Sequence, residues 1–171
     1  MKKLFKLTLL VALIAACAPV SAQKMGRINV QEVVMLMPEM AEMQTNLEAY
    51  QKDLTGTLET MQVELNTKFS DYQKNLSTMT ASVRSLKEKE LQDLQTRMQQ
   101  FEQSASNELQ AKQNELLEPI IAKARGVIET VSKAGGYTIV YDVSMGQIAY
   151  YDAEKVVDIT AEVKKSLGIN K

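Results

Sequence analysis

The stretch "GGYTIVYDVSMGQIAYYD", residues Gly135–Asp152, decides how the rest of this sequence is interpreted. Its segments "YTIVYD" and "IAYY" are rich in β-branched and aromatic residues that favour strands, and Gly146 lies between them at a turn. The stretch is therefore predicted to form a β-hairpin. An isolated two-stranded hairpin is only marginally stable in water, so these strands need further partners.

Most of the sequence before this stretch has the apolar spacing of long helices. From Met43 to Met79, apolar residues recur every three or four positions, the pattern of a helix that buries one narrow seam against another helix. The seam pauses at "STMTAS", residues 77–82, which are small, mostly polar residues of the kind that reverse a chain. It resumes from Leu91 to Val131. The pattern predicts an antiparallel helical hairpin with its tip near residues 77–82.

Pro119 lies inside the second predicted helix, where it removes one backbone hydrogen bond, so a bend is expected there. We interpret it as the junction between a helical-hairpin arm, residues 38–118, and a body, residues 23–37 and 119–171. Pro38 suits the first turn of the arm, because its missing N–H would have no partner inside the helix.

The body is predicted to contain a small sheet. "KMGRINV", Lys24–Val30, reads as a short strand, and Asn29 followed by Glu32 resembles a capping box that opens a short helix, "VQEVVMLM". Because antiparallel arms return the chain to its start, this strand and the C-terminal hairpin can share one sheet. Gly135 and Gly136 are expected to end the preceding helix, and a closing helix is expected to begin near Asp158 or Thr160.

Three short strands leave exposed sheet edges that invite further pairing. Association of several copies, closing their strands into a shared barrel, would cover those edges. The residues predicted to form this association body are Ile28, Val30, Ile139, Val140, Tyr141, Ile148 and Tyr150.

Residues 1–22 have the pattern of a secretory signal peptide: a basic start, an apolar run, and Val20-Ser21-Ala22 as a cleavage site. Cys17, the single cysteine, adds an alternative, because "LIAAC" resembles the lipobox of bacterial lipoproteins. Loss of Lys2, Lys3 and Lys6 from the 20 basic residues would leave 17 against 21 acidic ones, a net charge of −4. An excess of acidic residues does not provide the basic surface that nucleic-acid binding requires. No later segment is apolar enough to span a membrane.

The C-terminal third resembles a known family. The run "YTIVYDVSMGQIAYYDAEKVVDITAEVKKSL" is similar to the C-terminal segment of the Skp (OmpH-like) family of periplasmic chaperones. The architecture covers the whole mature chain, whereas specific matching is confined to this third. The matching positions are Val140, Asp142, Ile148, Ala149, Tyr150, Val156, Asp158, Ile159 and Thr160.

The resemblance implies a homotrimer in which three helical arms enclose a cavity. The expected fold class is α+β, mainly α, with a small β-barrel body assembled from three chains and long antiparallel helical-hairpin arms. It also implies a periplasmic holdase that binds unfolded outer-membrane proteins without ATP and prevents their aggregation before membrane insertion. The well-known enterobacterial members are strongly basic, whereas this chain has a pI near 5.7. The resemblance therefore does not imply that this chain is attracted to acidic clients, to lipopolysaccharide or to a membrane surface.

The residue types argue against an enzyme. The chain has no histidine, and its one cysteine lies at position 17, so the usual proton shuttles, thiol nucleophiles and soft metal ligands are missing. No phosphate-binding glycine loop is present. We therefore expect no catalytic residue, no metal site and no cofactor.

Methionine is concentrated where the first arm helix should leave the body. Flexible, polarizable methionine side chains suit a surface that accepts many partners, which makes this cluster a candidate client contact. The alternative is that they fill irregular gaps at the arm root. The cluster consists of Met35, Met37, Met40 and Met43.

A second function class stays open alongside the chaperone. The chain could serve as a structural or adaptor coiled-coil protein of the cell envelope, lipid-anchored through Cys17 if the lipobox is used. The predicted strands favour the chaperone, because a coiled-coil spacer has no need of a barrel body. Client identities and affinities, the arm angles, the cleavage site, and any partner of the acidic surface are not determined by the sequence.

Overall fold

The computed structural model describes residues 23–169. The first elements are strand β1 (Met25–Ile28) and helix α1 (Val30–Met35). Two long helices follow, α2 (Pro38–Asn75) and α3 (Ala81–Ala134). The chain then forms strands β2 (Ile139–Asp142) and β3 (Val156–Asp158) and ends in helix α4 (Thr160–Ser166). The predicted signal peptide and Cys17 lie outside the described residues.

The three strands form one sheet in the order β2-β1-β3, and both pairings are parallel. Met25 at the start of β1 is level with Ile139 on one side and with Val156 on the other. The prediction that β1 joins strands from the C-terminal region, more than a hundred residues away, is confirmed. As a result the N-terminal strand is the central strand of the sheet.

The predicted β-hairpin is wrong. β2 ends at Asp142, and residues 147–150, which include Ile148 and Tyr150, lie outside any strand. The Asp142 carboxylate accepts hydrogen bonds from the backbone N–H of Ser144 (2.9 Å) and from its hydroxyl (2.6 Å), which turns the chain out of the sheet. Because β2 and β3 are parallel to the same central strand, a crossover connection has to join them, and a tight hairpin cannot.

The helical hairpin is confirmed, with its reversal at residues 76–80. Asn29 caps α1 by accepting a hydrogen bond from Glu32 N, and Pro38 occupies the first turn of α2. α3 continues as helix through Pro119. At the end of α3, Gly136 has φ 69°, and the N–H of Tyr137 donates to the carbonyl of Ser132. This is the predicted glycine-dependent helix stop.

Two apolar clusters hold the described chain together. The first, the body core, packs β1 against α1, α3 and α4 through Ile28, Val33, Ile159 and Val163. The second, the root cluster, joins the arm helices to the body through Met37, Met43, Ile120, Ala124 and Ile169. The predicted arm–body boundary at residues 38 and 119 falls inside the root cluster. Arm and body therefore share side-chain contacts where they meet.

Candidate functional site

The edges of the sheet are the first candidate surface. β2 and β3 each pair only with β1, so within the described chain their outer backbone groups have no strand partner. Exposed apolar side chains also lie on these two strands and on the connection between them. They are Ile139, Tyr141, Met145, Tyr150 and Val157, which we name the edge residues. Open strand edges combined with exposed apolar groups are the features by which sheets associate.

The residues predicted to form the association body are divided by the structure. Ile28 is only 2% exposed, inside the core of its own chain, and Val30 and Val140 pack against that core. Ile139 and Tyr141 are exposed on edge strand β2, and Tyr150 is 83% exposed on the connection. Their role in association stays a prediction.

A polar cluster that was missed from the sequence lies on the central strand. Nη2 of Arg27 is 2.8 Å from Oδ2 of Asp158, and the guanidinium lies 5.2 Å from the centroid of the Tyr151 ring. Tyr151 thereby places the β2–β3 connection over β1. Asp158 was identified only as a helix start and as part of the family match, because its partner Arg27 is more than a hundred residues away in sequence.

The pKa of Asp158 has opposing causes. Partial burial raises it, but hydrogen bonds from the side chain and backbone of Thr160 and the positive charge of Arg27 lower it. The net result is a pKa below the ordinary value for Asp. The carboxylate is therefore stabilised in its charged form.

The four candidate methionines do not share one environment. Met37 and Met43 are buried in the root cluster, and Met40 packs against it. Met35 is 65% exposed at the end of α1. Their contact with clients stays a prediction, and Met35 alone of the four presents most of its side chain to solvent in the described chain.

The arm surface is more apolar than the seam pattern indicated. Val63, Phe69 and Leu86 are each about half exposed or more, and only Phe69 belonged to the predicted seam. Among the described residues of the arm beyond the root cluster, the buried hydrophobic side chains are Leu94 and Met98. A two-helix arm covers its side chains from one direction only, and Val63 and Leu86 lie outside the predicted seam.

Three polar contacts tie the two arm helices together at different heights. Lys123 pairs with Glu39 at the root. The hydroxyl of Tyr50 donates to Glu108 (3.0 Å), and the hydroxyl of Tyr72 donates to Glu88 (2.6 Å) nearer the tip. These contacts fix the register of α2 against α3 along the arm.

Among residues 23–169, no group of acidic side chains is arranged to hold a metal ion. None of the helices in this range combines the length and apolar character needed to cross a bilayer.

Comparison with known proteins agrees with this architecture. The chain is 32% identical over 158 residues to the chaperone protein Skp of Yersinia enterocolitica, covering 90% of this chain and 92% of that one. It is 30% identical to the chaperone protein Skp of Pectobacterium atrosepticum, with the same two coverages. A solved structure described as a candidate OmpH-like outer membrane chaperone from Caulobacter crescentus superposes with a TM-score of 0.70. That match has 15% identity and covers 86% of this chain and 85% of the other.

A family model described as "Outer membrane protein (OmpH-like)" matches residues 24–167, which include every strand and helix of the structure. The sequence match thus extends from the central strand through both arm helices to α4. This chain belongs to the OmpH-like family.

Proposed function

We propose that this protein is an ATP-independent holdase of the periplasm, which binds unfolded outer-membrane proteins and prevents their aggregation before membrane insertion. The observation that carries the proposal is the arm, whose two helices leave apolar side chains such as Val63 and Leu86 largely exposed. The protein is a member of a family whose curated relatives are named chaperones. Exposed apolar groups on a thin, elongated support suit the binding of chains that have not buried their own.

Holding by such a surface needs no chemical step. Each exposed side chain contributes a small contact, so a client is retained by many weak contacts that exchange. A client that folds elsewhere withdraws its apolar groups, and the equilibrium then favours release.

The working unit in this proposal is a homotrimer joined through the body. The open edges of β2 and β3 and the edge residues support it, because a second and third chain would pair those edges and cover Ile139, Tyr141 and Val157. Sedimentation of the mature protein at micromolar concentration tests the assembly, and a monomer would contradict it.

The holdase activity is tested by diluting a urea-unfolded outer-membrane barrel protein into buffer with the mature protein at stoichiometric ratio. We expect light scattering to be suppressed. The matched control replaces residues 60–97 with a short Gly-Ser turn. This deletion preserves the register of the two arm helices, because Tyr50 and Glu108 remain in contact. This variant should keep the assembly and lose most of the protection. Unchanged protection by the shortened arm would contradict the proposal.

Export is tested on the same preparation by the mass of its N-terminus. A chain that begins at Gln23 supports a soluble periplasmic protein. A diacylglyceryl group on Cys17 would favour the alternative, a lipid-anchored adaptor of the envelope.

A further inference from the structure

The arm has a poorly packed level halfway between root and tip. There the helices leave an apolar gap of about 280 Å³, whose lining includes Leu54, Leu58, Phe101, Ala105 and Leu109. Ala105 is small, so α3 contributes only a methyl group to this lining between the larger side chains of Phe101 and Leu109. We name this gap the mid-arm groove.

A second hollow adjoins the groove over Gly56. The two share Gln51 and Thr55 in their linings, so they are continuous along α2. Apart from its chain neighbours and the backbone of its own helix, no atom lies within 4 Å of the position that a Cβ of Gly56 would occupy, which leaves this side of the helix open. An extended chain crossing the arm here could place one side chain in the groove and the next in the hollow.

The hollow is acidic. Glu48, Asp53 and Glu59 line it together with one cation, Lys52, and Glu102 lines the groove. Within the described part of the chain, no lysine or arginine nitrogen lies within 4.0 Å of these four carboxylates. They therefore remain available to a cation from outside.

This charge is local to the middle of the arm. Residues 44–65 and 93–116 carry eight acidic and three basic side chains, whereas residues 66–92 at the tip carry three acidic and five basic ones. The overall charge of the protein conceals this division. A partner with cations would be attracted to the middle of the arm and repelled by its tip.

We propose that the mid-arm groove binds an extended, unfolded polypeptide segment in which a large apolar side chain is flanked by lysine or arginine. The apolar side chain fills the gap between Leu54 and Ala105, and the flanking cation lies in the hollow beside Asp53 and Glu59. The proposal rests on the holdase function and adds a preference to it. The gap is near the lower limit of ordinary ligand pockets, so it suits one or two side chains and excludes a folded element.

The test uses the absence of tryptophan from this chain, which makes a peptide tryptophan a clean fluorescent reporter. Two short unstructured peptides carry one central tryptophan, flanked by lysines in one and by glutamates in the other. We expect the lysine peptide to bind the mature protein about tenfold more tightly at low salt, and the difference to shrink as salt is added. Equal affinity of the two peptides would overturn the proposal.

Two variants locate the site. Ala105→Phe fills the groove and should weaken binding of the lysine peptide about tenfold, a loss typical of a blocked apolar contact. Asp53→Asn with Glu59→Gln should remove most of the preference for lysine. The control, Asp71→Asn with Asp93→Asn, makes the same charge change away from the groove and should leave the preference intact. Circular dichroism and sedimentation confirm that each variant is folded and assembled.

The outcomes separate this proposal from the holdase function. The mature protein could suppress aggregation while the Asp53/Glu59 variant and its control lose the preference for lysine equally. Acidic charge would then act without a defined site, which overturns the groove proposal. Peptide binding that survives Ala105→Phe also overturns it. If that substitution instead changes sedimentation while peptide binding is unaltered, the groove is a contact between copies and the proposal fails.

Discussion

The body and the arm of this protein are built on opposite principles. In the body, Ile28 of β1, Val33 of α1, and Ile159 and Val163 of α4 and its N-cap are almost completely buried. In the arm, two helices of 38 and 54 residues face each other along one seam, and few side chains beyond the root are fully covered. The body is stabilised by contacts between distant parts of the sequence, and the arm by contacts repeated at each helical turn. The exposed apolar side chains of the arm are spread along its length, whereas those of the body are gathered at the edges of the sheet.

The largest expected effect comes from a charge placed in the body core. Val163→Asp puts a carboxylate into the body core with no cation to pair it, at a cost of several kcal/mol. We expect loss of the sheet and of the assembly, measured by sedimentation and thermal unfolding. Ala161→Asp, two residues earlier on an exposed position of α4, is the matched control and should behave like the wild type. A stable, assembled Val163→Asp protein would contradict the view that the body is one cooperative unit.

A smaller effect, confined to the arm, is expected from Leu94→Ala. Leu94 is 1% exposed, yet it lies in a two-helix layer that can partly close over the space left behind. We therefore expect a loss near the lower end of the ~2–5 kcal/mol range for buried leucine truncations, with the assembly intact. Hydrogen exchange should rise in α2 and α3 and stay unchanged in the sheet.

Leu86→Ala is the control for this comparison, because Leu86 is well exposed and its truncation removes little packing. If Leu94→Ala raised exchange in the sheet as much as in the arm, arm and body would unfold together. The distinction between them would then have to be abandoned.

The sequence predicted these two regions with different success. The arm was predicted well because its signals are local: the seam spacing, Pro38 at a helix start, and Gly136 at a helix end. The sheet was predicted only in part. β1 and β2 were identified, but "IAYY" lies outside the sheet, and β3 (Val156–Asp158) was not predicted as a strand. The pairing depends on contacts across more than a hundred residues, and Gly146 favoured a hairpin that competes with pairing to β1.

The candidate site shows the same division. Methionines near the arm root were identified by composition, but burial in the root cluster depends on Ile120 and Ile169, which are far away in sequence. The mid-arm groove was not predicted, because Leu54 and Ala105 become neighbours only when the register of the two helices is known. The acidic hollow beside it was hidden within an almost neutral total charge.

The smallest expected effect is the loss of the stabilising contribution of Asp158 to the body at low pH. The pKa of Asp158 is lowered in the folded protein, because hydrogen bonds from Thr160 and the charge of Arg27 together outweigh the effect of burial. A carboxyl group whose folded pKa is depressed stabilises the fold at any pH above its unfolded pKa of about 3.9. That stabilisation is lost as the pH falls through the lower, folded value. We expect the contribution of Asp158 to the unfolding temperature to be constant between pH 7 and about pH 5, and to be lost on further acidification.

Asp158→Asn separates this contribution from the general effect of acid on the many other carboxylates. The amide keeps the shape of the side chain but cannot titrate, and it cannot form the ion pair with Arg27. The variant should unfold at a lower temperature than the wild type at pH 7, and the two should converge as the pH is lowered below the unfolded pKa of aspartate. Because Asp158 is partly exposed, solvent screens the pair and the difference is expected to be modest. Parallel curves that never converge would show that Asp158 acts through its shape and hydrogen bonds alone, and that its charge contributes nothing to holding β3 beside β1.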